Sequence, residues 1–231
     1  MNLVMIEQLK NKHKDERVVI VCNGPSLNKM DLSFLKRECV IGLNKIYLGF
    51  QKFRFYPNYY VAVNPKVIEQ SVPEISKLNC VKFLGDKGAD GFISEGALTY
   101  LLNTKNPPFR FCKDVAVGLH EGWTVTYAAL QVAYYLGFLE VIIIGMDHNF
   151  TFPGMPNQEK VLHGEDPNHF CGSYFGNGQK WDNPDLEHSE ESYEIAKWVF
   201  QQDGRRILDA TVGGRCQVFD KADYREVFSL I

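Results

Sequence analysis

The run Val18-Val19-Ile20-Val21 leads directly into Cys22-Asn23-Gly24-Pro25-Ser26-Leu27, and this junction limits the possible folds more than any other segment. Four β-branched residues without polar alternation describe a strand buried on both faces, as in the parallel sheet of an α/β protein. The turn that follows is made of residues that end strands. Gly24 lets the backbone approach a neighbour closely, Pro25 fixes φ, and Asn23 and Ser26 carry hydrogen-bonding side chains. In open α/β sheets ligands bind at the carboxyl ends of the strands, and the first such turn commonly meets a phosphate or nucleotide. The turn is neither a Walker loop nor a GxGxxG fingerprint, so neither mechanism is assumed. These residues alone leave two readings open: a ligand-binding turn, or a plain strand-to-helix connection capped by Ser26.

The rest of the chain repeats the theme. Further strands are predicted at 39–43, ending at Asn44, at 59–63, ending at Asn64, and at 81–84. Helices are predicted over 3–14, within 27–35 and over 67–76, with another around 94–102. Each strand-end asparagine is a common turn former. Three of them, Asn23, Asn44 and Asn64, on consecutive parallel strands would face one crevice, where an amide both donates and accepts. An apolar helix follows over 124–136, closed by Gly137, and then a buried strand from Glu140 that ends at Asp147. The start of that helix places Thr124 and Thr126 where backbone N–H groups attract phosphate; Thr124 also suits a plain cap.

After Asp147 the composition changes. Residues 148–188 hold four histidines and the aromatics Phe170, Tyr174, Phe175 and Trp181, with little periodicity. A stretch this long is read as a lid or active-site insertion in a single domain spanning 1–231. A helix over 189–202, a strand over 207–211 and a terminal helix over 224–230 complete the chain. The expected fold is α/β: one Rossmann-like, mostly parallel sheet with helices on both faces and a long lid loop.

A net charge of −3 with scattered Lys and Arg argues against a nucleic-acid partner. No stretch reads as a signal peptide or a transmembrane span, and the most apolar one, 127–145, is split by Gly137 and Glu140. Six cysteines without a CxxC pair fit reduced thiols and a cytoplasmic location. Trp198 fits either a core position or the interface of a homo-oligomer. His163, Asp166 and His169 would share a face only in a helix, which Gly164 and Pro167 oppose, so no tight transition-metal site is expected. Asp147 could hold Mg²⁺ against a diphosphate, or simply accept backbone N–H bonds. No tightly bound cofactor is expected beyond such an ion.

Taken in order, the Asn23-Gly24-Pro25-Ser26 turn, the strand end at Asn44, Val63-Asn64-Pro65, the segment from Thr124 to Asp147 and the Ile207–Gly214 stretch resemble the MptE-like proteins. That group includes 6-hydroxymethyl-dihydropterin diphosphokinases and flagellin-modifying Maf proteins. The layout is also similar to small Rossmann-like bacterial sialyltransferases that use CMP-sialic acid. The latter resemblance implies that Asn23, Gly24 and Ser26 contact the nucleotide, that Asn44 and Asn64 lie near the ribose or donor sugar, and that Thr124 lies near the base or phosphate. It also implies a general base at His188, beside Ser189; read without it, His188 is a surface residue at a helix start, with Ser189 as the cap. Two departures stand out. An arginine expected before Thr124 is replaced by Gly122-Trp123. A tyrosine expected to hold the leaving phosphate is replaced by Asn149, for which Tyr174 is a candidate substitute. The function expected is transfer of a CMP-activated acidic sugar to a hydroxyl acceptor, in surface glycan synthesis or protein glycosylation. The alternatives are Mg²⁺-dependent diphosphate transfer from ATP to a pterin-like alcohol, and nucleotide binding without turnover.

Overall fold

A computed structural model of the chain describes residues 5–105, 110–151, 154–176 and 178–230. Among these, ten strands form: β1 (Arg17–Val21), β2 (Val40–Leu43), β3 (Tyr59–Ala62), β4 (Val81–Gly85), β5 (Thr99–Leu102), β6 (Glu140–Ile144), β7 (Glu159–Val161), β8 (Lys180–Asp182), β9 (Arg206–Asp209) and β10 (Asp220–Lys221). Eight of them make one sheet in the order β10-β9-β6-β1-β2-β3-β4-β5, every neighbouring pair parallel, while β7 and β8 form a separate antiparallel ribbon. The helices are α1 (Phe50–Phe53), α2 (Pro65–Glu69), α3 (Val72–Lys77), α4 (Asp86–Ala89), α5 (Val125–Leu136), α6 (Leu186–Gln202) and α7 (Tyr224–Val227). The Rossmann-like α/β fold read from the sequence is the one observed.

The two-sided burial of β1 explains its composition. Val18 and Ile20 join a core with α5 and α6 on one face, and Val19 and Val21 join a second core with α2, α3 and α7 on the other. All four are fully buried, each stabilising the fold by roughly 1.5–3 kcal/mol through apolar burial. The chain runs outward from β1 through β5, then returns to place β6 on the opposite side of β1. The strand order therefore reverses between β1 and β6, the position where open α/β sheets form their ligand crevice.

Four local expectations are corrected. Residues 94–102 are not helical: Thr99–Leu102 is the edge strand β5, whose hydrogen bonds come from distant β4. The described part of 3–14 is a single 3₁₀ turn, Ile6–Leu9, followed by turns. There the amides of Asn11 and His13 donate to Tyr135 O (3.0 Å) and Leu136 O (2.8 Å), satisfying the end of α5 rather than a local helix. The segment 27–35 likewise forms 3₁₀ turns, Pro25–Lys29 and Ser33–Arg37, rather than a helix. Finally, α6 begins three residues earlier than expected, with Asp185 as its cap accepting the His188 amide; Ser189 is inside the helix and its hydroxyl donates to Asp185 O.

Trp198 is 61% exposed and is not part of the core. Among the described residues no helix is long and apolar enough to cross a membrane, and all six cysteines are free thiols.

Candidate functional site

The turns at the carboxyl edge of the sheet open on a cavity of about 210 Å³. The turn after β1 forms its floor and is held by β6. The Gly24 amide donates to Gly145 O (2.8 Å), and Asp147 accepts from the Ser26 amide (3.0 Å) and hydroxyl (2.5 Å). Burial pushes the Asp147 carboxyl above its usual range, against the pull of the Ser26 bonds. A Cβ on Gly24 would fall 1.9 Å from Asp147 Oδ2 and 2.6 Å from Gly145 O, so the close approach that requires glycine here is between two parts of the protein.

Of the residues singled out from sequence, Asn23, Gly24, Asn44, Asn64, Thr124, Thr126, Asp147, Asn149 and Tyr174 all line this cavity. Their roles differ. Asn64 caps α2, its Oδ1 accepting from the amides of Lys66 (2.9 Å) and Val67 (3.3 Å). Thr124 caps α5 through Thr126 N and lies 3.2 Å from Tyr193 Oη. Thr126 Oγ1 meets the buried Cys22 thiol at 3.4 Å. The Tyr174 hydroxyl accepts from the Lys45 amide, and its ring stacks on His169 at 3.9 Å. Pro25, Ser26 and His188 are not in the lining; the first two act by shaping and pinning the turn.

Asn23 and Asn44 are in a different position. Asn23 Nδ2 donates to Leu43 O (3.1 Å), which orients the amide and leaves Oδ1 buried without a partner. Asn44, in the left-handed region at φ 47°, also has its Oδ1 buried and unpartnered. The third unpartnered group in the lining is the indole N–H of Trp181, contributed by β8 and 8% exposed. Buried polar groups are nearly always paired, and each left unpaired costs on the order of 1–3 kcal/mol. Two buried acceptors and one buried donor without partners thus belong to residues that line one cleft.

The segment 148–188 forms the opposite wall. Its residues 152, 153 and 177 lie outside the described residues. The wall is fastened to the floor: the Phe170 amide donates to Asn23 O (2.9 Å), Asn28 Nδ2 donates to Phe170 O (2.9 Å), and Lys45 Nζ donates to Tyr174 O (2.9 Å) and Gln179. Lys45 is 2% exposed beneath Phe175 and Tyr174, and burial lowers its amine to about 8. Sequence reading missed Lys45, for which no local signal exists. Trp181 and His148, whose Nε2 lies 2.8 Å from Glu190, entered it only through the aromatic and histidine content of 148–188. The triplet His163, Asp166 and His169 does not share a helical face, and His169 Nδ1 instead bonds Asp166 at 2.8 Å.

His188 lies in the first turn of α6, between the lining residues Leu186 and Ser189. Its Nδ1 bonds Asp185 at 2.9 Å, which holds the imidazole above its ordinary pKa, and its ring stacks on Trp123 at 4.7 Å. With Nδ1–H donating to the carboxylate, the neutral ring presents Nε2 as a free acceptor. Trp123 lines both this cavity and a second one, which also share Asn64, Thr124, Val125, Asp182 and Pro184.

Comparison with known proteins gives the chain a family. Residues 1–152 match the family described as 6-hydroxymethylpterin diphosphokinase MptE-like. A probable 3-deoxy-manno-octulosonic acid transferase of Escherichia coli K12 is 28% identical over 184 residues, which cover 60% of this chain and 63% of that protein. Its Salmonella typhimurium counterpart is 25% identical over 187 residues, covering 63% of this chain and 70% of that protein. The Maf glycosyltransferase of Magnetospirillum magneticum AMB-1 shares the fold at a TM-score of 0.56 and 14% identity, over 96% of this chain and 39% of that one. The family match spans the strands, turns and α5 N-terminus that build the floor of the cleft, and on that match the chain belongs to the MptE-like family.

Proposed function

We propose that the protein is a glycosyltransferase that takes an acidic sugar from a nucleotide donor, CMP-activated, and passes it to a hydroxyl acceptor. The observation that carries this reading is that three residues lining the cleft each keep a buried polar atom without a partner: Asn23 Oδ1, Asn44 Oδ1 and Trp181 Nε1. Ribose hydroxyls and the exocyclic amine of a base supply donors for the two amide oxygens, and a carbonyl, carboxylate or phosphate oxygen accepts from the indole. The cleft lies at the reversal of strand order, and α5, twelve residues long, points its N-terminus toward it, a favourable seat for the leaving phosphate. The names of the curated relatives, transferases of 3-deoxy-manno-octulosonic acid, support an acidic sugar.

His188 is the general base in this reading, with Asp185 orienting it. The acceptor oxygen forms a bond to the anomeric carbon, and the bond from that carbon to the phosphate oxygen breaks with its electron pair going to the phosphate. The acceptor proton passes to His188 Nε2. Diphosphate transfer has less support from the donor set. It calls for Mg²⁺, and Asp147, the carboxylate nearest the turn, has both oxygens committed to Ser26, while Asp182 is paired with Lys66.

The test is release of CMP from CMP-3-deoxy-manno-octulosonic acid or CMP-sialic acid, assayed with EDTA present. Enzyme-dependent release that is lost in the His188→Ala variant is the expected result. Release of AMP from ATP with Mg²⁺ and a pterin alcohol, without release of CMP from either sugar donor, would overturn the assignment.

A further inference from the structure

The second cavity, about 560 Å³, lies within the size range of small-ligand sites and shares the N-terminus of α5 with the first. Its walls are mostly hydrogen-bonding groups, and its charges are already matched. Lys87 pairs with Glu121 at 2.8 Å, Lys105 with Asp90 at 2.5 Å, Asp182 with Lys66 at 2.5 Å, and Asp185 with His188 at 2.9 Å. An ionic ligand would have to break one of these pairs. A neutral ligand rich in hydroxyls would not.

Trp123 supplies the aromatic surface of this cavity. It is 45% exposed although large and apolar, and it sits in the left-handed region at φ 58° directly after Gly122 at φ 60°. Glycine takes that conformation freely, but a tryptophan in it is costly and persists only where the surroundings impose it. The Tyr127 ring lies 2.1 Å from where a Gly122 Cβ would be, so only glycine fits before Trp123, whose indole lines both cavities. His188 stacks on the same ring, which sets the proposed base at the edge of the second cavity.

We infer that the second cavity is the acceptor site, that its substrate class is a neutral carbohydrate, and that a sugar ring stacks on Trp123 while presenting a hydroxyl toward the α5 N-terminus. This rests on reading the first cavity as the donor site, and it adds what the acceptor is. A ring seated there brings its hydroxyl up to the wall the two cavities share, where the donor phosphate leaves.

Saturation-transfer NMR on the full chain tests this with methyl β-lactoside, methyl α-mannoside and methyl α-glucoside as neutral probes and glucose 6-phosphate as the anionic one. At least one neutral glycoside is expected to bind. The Trp123→Ala variant is expected to weaken that binding by about tenfold or more, the scale of a lost stacking face, and Trp123→Phe to restore most of it. Thermal midpoints of both variants are measured alongside, so that an unfolded variant is recognised and the comparison then made with Trp123→Phe and Trp123→His. Equal binding by wild type and the Ala variant overturns the site, and binding of glucose 6-phosphate alone overturns its neutral character. Failure of all three neutral glycosides overturns the proposal as well. CMP binding is recorded on the same samples. Glycoside binding that depends on Trp123 while CMP fails to bind supports the carbohydrate site and removes the donor reading instead.

Discussion

The floor and the far wall of the cleft are built on different principles. The floor comes from the turns after β1, β2 and β3 and the start of α5, all within the residues matched by the MptE-like family. Its groups are amides and backbone held in fixed geometry by the sheet, and two of them are left with unmet hydrogen-bonding capacity. The wall, from His148 to Ser189, is aromatic, carries the His–carboxylate pairs, and extends beyond that match. On the proposed function, the contrast makes recognition of a nucleotide and choice of chemistry separable. A family can keep the floor and exchange the reaction by altering the wall.

Substitutions at the wall and the floor should therefore fail in different ways. The largest effect is expected from His188→Ala. Loss of a general base lowers the rate of transfer by about 10²–10⁴-fold, while the thermal shift produced by CMP stays as in wild type; a parallel loss of CMP binding would merge the two regions into one function. Gly24→Ala is expected to destabilise the fold by about 1–3 kcal/mol in urea titrations, because the added carbon meets Asp147 and the Gly145 carbonyl. Wild-type stability there would mean the β1 turn is not clamped by β6. Asn44→Ala should weaken CMP binding roughly tenfold, the scale of one buried hydrogen bond, with little change in the rate at saturating donor.

The smallest effect is a displaced pH profile. Asp185 holds His188 above its ordinary pKa, and only the neutral imidazole acts as a base. The rate of transfer should thus rise with pH through that elevated value. Asp185→Asn preserves a capping residue but removes the carboxylate, so the acid limb of kcat/KM should move to lower pH. A limb that stays in place would separate His188 from the rate.

Much of the floor was legible in the chain itself. Buried β-branched runs followed by Asn, Gly or Pro mark strand ends whatever the tertiary context, and Asn23, Asn44 and Asn64 all reach the cleft. Their individual duties were not legible. Asn64 spends its oxygen on the amides of Lys66 and Val67, whereas Asn44 keeps its oxygen free, and both read alike in sequence because capping and ligand binding use the same amide. β5 was misread because Leu98, Leu101 and Leu102 repeat at helical spacing, while the hydrogen bonds that make this edge a strand come from β4, about twenty residues away. The wall was least legible. Trp181 and Lys45 acquire their positions only when β8 and the Phe170–Phe175 segment fold over the sheet edge, and no local pattern encodes that contact.

The central claim is that the unpartnered atoms of the floor hold a nucleotide without help from a metal. Calorimetric titration of CMP in EDTA, with wild type and the Asn23→Ala/Asn44→Ala double variant, measures it directly. The account predicts saturable CMP binding by wild type and at least about tenfold weaker binding by a double variant that remains folded. Equal affinity for the two proteins, or binding confined to ATP with Mg²⁺, would contradict it.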